Sequence, residues 1–382
     1  MSRRLILSVL MLAVSIVLLV FYVSVLAQLD PPTSAAPPAL PTCTEAEISA
    51  ALAALPDYQP AMTNSFVGIS NGQFALDDDI FFAKGVNYYP SRYPWRRFLT
   101  ESDLTTIEHE FTLLQSVNLN TLRIFLWNEA LFTCPGSGTV PIAENFRRLD
   151  GIIHLAAEHG FRLIVTLNDL ADLEAYPLYD NPVHIQAQTE FIVSRYRDEA
   201  AILAWDLRNE GDIDYGTLNT IPASATREAV LNWLGETAAL VRSLDSNHLV
   251  TAGWLYDNEA TIPHVDFVSF HHWVGEAEAY TRILELQAAT DKPILLQEFG
   301  YSTQRMDEAS QARTIGEVID VVEKTHIAGW LIWTAFDFPT DATCIPPNCP
   351  SPDNAEHHFG LWHVDYSPKP VVQLLIKSTM TE

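Results

Sequence analysis

Positive charge is what this sequence has least of. Its 382 residues carry 22 Lys and Arg against 48 Asp and Glu, a formal net charge of −26. Nucleic acids and anionic lipid surfaces are held by basic patches, so neither is expected as a partner. Cysteine is scarce too. Cys43, Cys134, Cys344 and Cys349 are the full set, and no two have the two-residue spacing of a structural zinc site. No Asn-x-Ser/Thr sequon occurs, which fits a prokaryotic source or an unglycosylated surface. No Gly-rich phosphate loop follows an apolar run, which weakens the case for a doubly wound open sheet. Beyond the N-terminus, no apolar run is long enough to span a bilayer.

What is present starts with a targeting segment. Arg3-Arg4 precedes an uncharged stretch from Leu5 to Ala27. At ~1.5 Å per residue that stretch can cross ~30 Å of hydrocarbon. Small residues before Gln28 also offer a cleavage site. Residues 1–28 are therefore read as a signal peptide or a signal anchor, with the remainder outside the cytoplasm, secreted or held at the membrane. Leu29 to Thr42 holds five prolines and reads as a semi-rigid spacer; with a short helix over Glu45 to Ala54 it makes up residues 29–64. Four cysteines outside the cytoplasm permit two disulfides. Cys344 and Cys349 close a small loop, which leaves Cys43 for Cys134.

Asn71-Gly72 between apolar runs predicts a hairpin, and Asp77-Asp78-Asp79 a second turn, so a small antiparallel flap precedes the main domain. From Phe81 the pattern alternates strand and helix. The expected strands are Phe82–Tyr89, Asn120–Trp127, Phe161–Leu167, Ile202–Leu207, Leu249–Trp254, Asp266–Trp273, Pro293–Phe299 and Gly329–Asp337. The expected helices between them begin near Thr100, Ala143, Val183, Thr226, Gly275 and Glu308. Eight such units over residues 65–382 predict an α/β fold, a (β/α)8 TIM barrel.

Two of those strands end in carboxylates. Ile202–Leu207 is short and apolar, and delivers Asn209 and Glu210 at its carboxyl end; Pro293–Leu296 delivers Glu298. A barrel brings such distant strand ends to one mouth, where catalysis occurs in this architecture. Two facing carboxyl groups are what glycosidic bond cleavage needs, one as acid and one as base or nucleophile. Nine Trp and thirteen Tyr supply faces that suit sugar rings. His271-His272 and His357-His358 are weak metal candidates, because adjacent strand residues point apart. No metal and no cofactor are expected.

The segments Trp205-Asp206-Leu207-Arg208-Asn209-Glu210, Leu296-Gln297-Glu298-Phe299-Gly300, Phe270-His271-His272-Trp273 and Thr121-Leu122-Arg123 resemble glycoside hydrolase family 5, within the clan of retaining β-glycosidases built on barrels. Lys84 to Tyr89, Trp330 to Phe338, Phe359 to Trp362 and Lys369-Pro370 match as well. The resemblance implies that Glu210 is the acid/base and Glu298 the nucleophile. It implies that Asn209 holds the sugar 2-hydroxyl, Arg123 hydrogen-bonds Glu298 and keeps it ionised, His271 lines the subsite beside the scissile bond, and Trp333 is the floor for that sugar. His272, Trp273, Tyr89 and Asn168 are further substrate-binding candidates. The family's strand-six motif is His-x-Tyr, and here Trp273 stands in the third position; strand three often ends in His, where this chain has Asn168-Asp169.

The expected function is retaining hydrolysis of a β-linked polysaccharide or oligosaccharide of mannan or glucan type, by a monomer. A raised Glu210 carboxyl is expected, from its own burial and a negative Glu298 nearby. The competing readings are a catalytically inactive carbohydrate-binding barrel and a transglycosylase using the same carboxylates.

Overall fold

Asn71 and Gly72 both adopt positive φ, 52° and 74°, and turn the chain between β1 (Gly68–Ser70) and β2 (Gln73–Leu76). A second turn at Asp77-Asp78 leads into β3 (Asp79–Ile80). These three antiparallel strands are the predicted flap. The computed structural model describes residues 40–170, 173, 177–180, 183–216, 223–344 and 347–378. The N-terminal apolar run, and with it the signal or anchor, lies outside the described residues. Among the described residues no helix is long and apolar enough to cross a membrane.

The barrel strands are β4 (Ala83–Asn87), β5 (Thr121–Phe125), β6 (Arg162–Thr166), β7 (Ile202–Asp206), β8 (Leu249–Thr251), β9 (Gly253–Trp254), β10 (Val268–His271), β11 (Ile294–Phe299) and β12 (Gly329–Ile332). All pair in parallel, in the order β8-β7-β6-β5-β4-β12-β11-β10-β9. β8 and β9 are the two halves of the fifth expected strand, parted at Ala252. One half pairs with β7 and the other with β10, so that strand closes the sheet into the (β/α)8 barrel. The break has a local cause. Gly253 N–H donates to the Asp206 carboxylate at 3.1 Å rather than continuing the ladder.

Helices follow the strands where the apolar period predicts them: Ala143–Glu158, Val183–Tyr196, Arg227–Leu244, Glu276–Ala289 and Glu308–Thr325. The helix expected from Thr100 is split. A single turn, Arg97–Thr100, ends before Asp103, whose side chain caps Leu104–Gln115 by accepting from Thr106 N–H at 2.8 Å. Asp103 rather than Thr100 is thus the true start.

The core has two parts. Inside the barrel, Ile164, Leu203, Leu295 and Leu331 pack with Val67 and Phe74 of the flap. Phe74 meets Phe267 edge to face at 4.8 Å, which closes the N-terminal end of the barrel. The larger cluster lies between strands and helices. Ahead of the flap, residues 43–62 are fastened to the barrel. Glu199, fully buried, accepts from Tyr58 Oη at 2.7 Å and from the N–H groups of Ala61 and Met62. The Cys43–Cys134 disulfide ties down the same segment, and Cys344–Cys349 forms as expected. Such bonds belong to oxidising compartments outside the cytoplasm.

Candidate active site

β7 ends at Asp206, and Leu207 to Glu210 continue over the barrel mouth. Backbone bonds to both flanking strands hold this exit: Asn209 N–H donates to Asn168 O at 2.9 Å, and Glu210 N–H to Gly253 O at 2.7 Å. Glu210 sits in the left-handed region at φ 47°. That turn, uncommon for a residue with a side chain, carries its carboxyl inward.

Glu298 lies on β11, and the ladder sets it directly opposite His271 of β10. His271 Nδ1 is 2.9 Å from Glu210 Oε1 and 3.8 Å from Glu298 Oε1. Oxygens of Glu210 and Glu298 and a His271 ring nitrogen all lie within 4.8 Å of one another. Two carboxylates and an imidazole are also a metal-ligand set. Here Arg123 already supplies a fixed positive charge 2.9 Å from Glu298, and a dication in the same space would face it.

Arg123, fully buried on β5, uses every donor it has. Nη1 donates to Glu298 at 2.9 Å and to Asn87 at 3.0 Å; Nη2 donates to Asp206 at 2.7 Å and to Asn209 at 2.9 Å; Nε is shared between Thr166 and Asp206. Asn209 is fixed at both ends of its amide, because Nδ2 donates to Asp169 Oδ1 at 2.9 Å. Asp169 also accepts from Tyr89 Oη at 2.7 Å, and Tyr89 accepts from Trp127 Nε1 at 2.8 Å. A buried polar chain thus runs from Trp127 to Glu298.

Trp333 follows β12, joined to Thr334 by a cis peptide bond. Its ring stacks near-parallel to Trp95, 6.2 Å between centroids and 10° between planes, and meets Phe125 edge to face. Its side chain also donates a hydrogen bond to Glu356.

The proton distribution differs from the sequence expectation. Burial pushes Glu298 up to about 7, with the charge of Glu210 adding to it against the opposing pull of His271 and Arg123. Arg123 opposes that rise without cancelling it, and its charge is divided between Asp206 and Glu298. Burial would raise Glu210 as well, but the His271 hydrogen bond and positive charge outweigh it and hold this carboxyl below its ordinary value. The expected rise at Glu210 is therefore reversed. Burial lowers the His271 imidazole, and Glu298 and Glu210 more than restore it, so it lies above its usual value.

Several expected substrate contacts turn elsewhere. Tyr89 is completely buried and stacks on Phe125, so it supports the mouth from within. Asn168 donates to Leu207 O at 2.9 Å and braces the β7 exit. His272 Nε2 is paired with Gly275 O at 2.9 Å and anchors its own loop. Trp273 is 36% exposed and packs edge to face on Phe359, 5.7 Å away. Glu210, Glu298, Asn209, Arg123 and His271 do converge. Sequence reasoning passed over Asp169 and Glu356. Asp169 directly follows a strand end, a signal that was open to use; Glu356 carries none.

Residues 183–280 match the family model described as GH family 5 beta-mannosidase-like. The chain is 26% identical over 302 residues to a probable mannan endo-1,4-beta-mannosidase F of Neosartorya fischeri, covering 63% of this chain and 62% of that one. It is 27% identical over 305 residues to mannan endo-1,4-beta-mannosidase F of Aspergillus clavatus, covering 63% and 65%. The match thus spans under two thirds of the length of these two relatives. Among solved structures, an exo-beta-1,4-mannosidase of Opitutaceae bacterium strain TAV5 superposes with a TM-score of 0.68 at 19% identity, covering 82% of this chain and 62% of that one, a likeness of fold.

Proposed function

We propose that this chain, which belongs to glycoside hydrolase family 5, hydrolyses a β-linked mannan or manno-oligosaccharide with retention of configuration. The observation that carries the reading is the approach of the two carboxyl groups, with oxygens within 4.8 Å. Retaining enzymes hold the pair about 5–5.5 Å apart, whereas inverting enzymes leave about 6.5–9.5 Å for a water. The choice of mannan rests on the relatives, which are named mannan endo-1,4-beta-mannosidases.

Glu298 attacks the anomeric carbon. Glu210 donates its proton to the departing oxygen, so that a glycosyl–enzyme ester forms as the glycosidic bond breaks. Glu210 then takes a proton from water, which attacks the ester and releases the sugar and Glu298. The proton required sits in the hydrogen bond between His271 Nδ1 and Glu210 Oε1, and moves onto Glu210 as the leaving oxygen approaches. Asn209, with its orientation set by Arg123 and Asp169, keeps one Nδ2 hydrogen for the sugar 2-hydroxyl. Trp333 is the apolar floor for that ring. The disulfides support a site of action outside the cytoplasm.

The test is reducing-sugar release from β-mannan, glucomannan, β-glucan and cellulose, with Glu298→Ala as control. Release from mannan that disappears in the variant supports the reading. Release from glucan alone overturns the substrate, and release that survives in Glu298→Ala overturns the mechanism.

A further inference from the structure

Gln297 precedes the nucleophile, is completely buried, and points its side chain away from Glu298 toward the neighbouring strands. Its Oε1 lies 3.3 Å from His271 Nε2, the ring nitrogen that Glu210 does not use. The same two atoms close on the bare Cα of Gly253. A Cβ built there would stand 1.8 Å from Gln297 Oε1 and 2.6 Å from His271 Nε2. Gly253 in turn accepts the Glu210 backbone N–H and donates to Asp206. The glutamine, the imidazole, the acid/base and the missing side chain at position 253 thus form one packed unit.

We propose that Gln297 is a positioning residue: its carbonyl oxygen accepts from His271 Nε2–H while Nδ1–H donates to the Glu210 carboxylate, so that the ring rests as the imidazolium. An imidazolium donates at both nitrogens, and each of them faces an oxygen here, Glu210 Oε1 at 2.9 Å and Gln297 Oε1 at 3.3 Å. The proton that the leaving group needs is therefore retained on the ring until pH rises above the ring's titration. The charged groups facing the ring are Glu210 from the β7 exit, Glu298 from β11 and Arg123 from β5. With the glutamine amide reversed, Nε2 would accept, Nδ1–H would donate, and Glu210 would rest as a carboxylate. The side chain at 297 thus decides whether the resting ring is an imidazolium, with a proton to give, or neutral. This rests on the hydrolytic reading for its purpose, but the protonation of the ring is measurable without substrate.

The first experiment is ¹⁵N NMR of the full chain labelled at histidine, with the His271 resonances identified by their loss in His271→Asn, followed across the ring's titration in wild type and in Gln297→Met. Both nitrogens protonated to a pH above the ordinary imidazole value are expected in wild type, with the titration moving down in Gln297→Met; a titration that does not move overturns the proposal. The second experiment compares Gln297→Met with wild type on β-mannan and on an aryl β-mannoside whose leaving group needs no protonation. About a 10-fold or larger loss confined to mannan is expected, since general acid assistance contributes ~10²–10⁴. Equal losses on both substrates would mark Gln297 as merely structural. In Gln297→Glu, a carboxylate facing Nε2 holds the imidazolium, and the basic limb of kcat/KM is expected to move up; an unmoved limb counts against the proposal. If no glycoside is hydrolysed at all, the hydrolytic reading falls while the NMR result still decides the protonation of the ring.

Discussion

Arg123 and Asp206 form an ion pair with Nη2 and Oδ2 2.7 Å apart, both side chains cut off from solvent. The guanidinium is divided between this carboxylate and that of Glu298, the proposed nucleophile. Asp206→Asn removes the larger claimant, so Arg123 acts on Glu298 alone. The acid limb of kcat/KM is expected to shift to lower pH, read from a pH–rate profile. Breaking one partner of a buried pair costs ~3–5 kcal/mol, and urea unfolding should report a loss at the low end because Glu298 and Asn209 still engage the arginine. A limb that stays in place would refute the division of charge.

Glu298 itself titrates at about 7 in the free enzyme. In the proposed mechanism Glu298 attacks as a carboxylate, so kcat/KM should climb as pH rises toward 7 and level off above it. The same shift has the opposite effect on stability. Between the ordinary carboxyl value and 7 the unfolded chain has lost this proton while the folded chain keeps it, so folding stability falls as pH rises through that window.

Glu298→Gln separates the two effects. It should abolish turnover at every pH. Its gain in stability over wild type should grow from pH 5 to pH 8, to at most about 3 kcal/mol. Thermal unfolding of both proteins at the two pH values checks this, and a pH-independent difference would show that Glu298 ionises freely.

Trp333→Ala removes the proposed apolar floor of the sugar site. A stacked aromatic contributes ~0.5–1.5 kcal/mol beyond its buried area, so kcat/KM on mannan should fall at least ~5-fold. Ring loss also frees Trp95 and Glu356 from their partner. Kinetics on the variant, with circular dichroism to show an intact barrel, make the measurement.

Cys43 and Cys134 are separated by 91 residues. Closing a loop of that length confines the unfolded chain, and removing such a bond typically costs about 2–5 kcal/mol. The double variant Cys43→Ser, Cys134→Ser should therefore unfold at lower temperature yet keep its activity at 25 °C, because Glu210 and Glu298 are held by His271 and Arg123 on barrel strands. Activity lost at temperatures where the barrel remains folded would contradict this.

Architecture was legible in the residues because apolar period and turn chemistry are local. Asn71-Gly72 must turn, Gly160 must end a helix, and Ile202–Asp206 is too short and too apolar for anything but a buried strand. Glu210 and Glu298 were legible for the same reason, as single charges ending apolar runs. What the sequence by itself determined is thus the alternation of strands and helices and which side chains leave the barrel at its mouth. Three features were decided only by the tertiary structure. One is that Tyr89 and Asn168 face inward, since a strand end has no handedness until its neighbours pack. Another is that Asp206 draws Arg123 away from Glu298, a sharing that joins β5, β7 and β11. The last is the reversal of proton affinity between Glu210 and Glu298, because burial and the position of one imidazole outweigh anything the two glutamates carry in their own sequence surroundings.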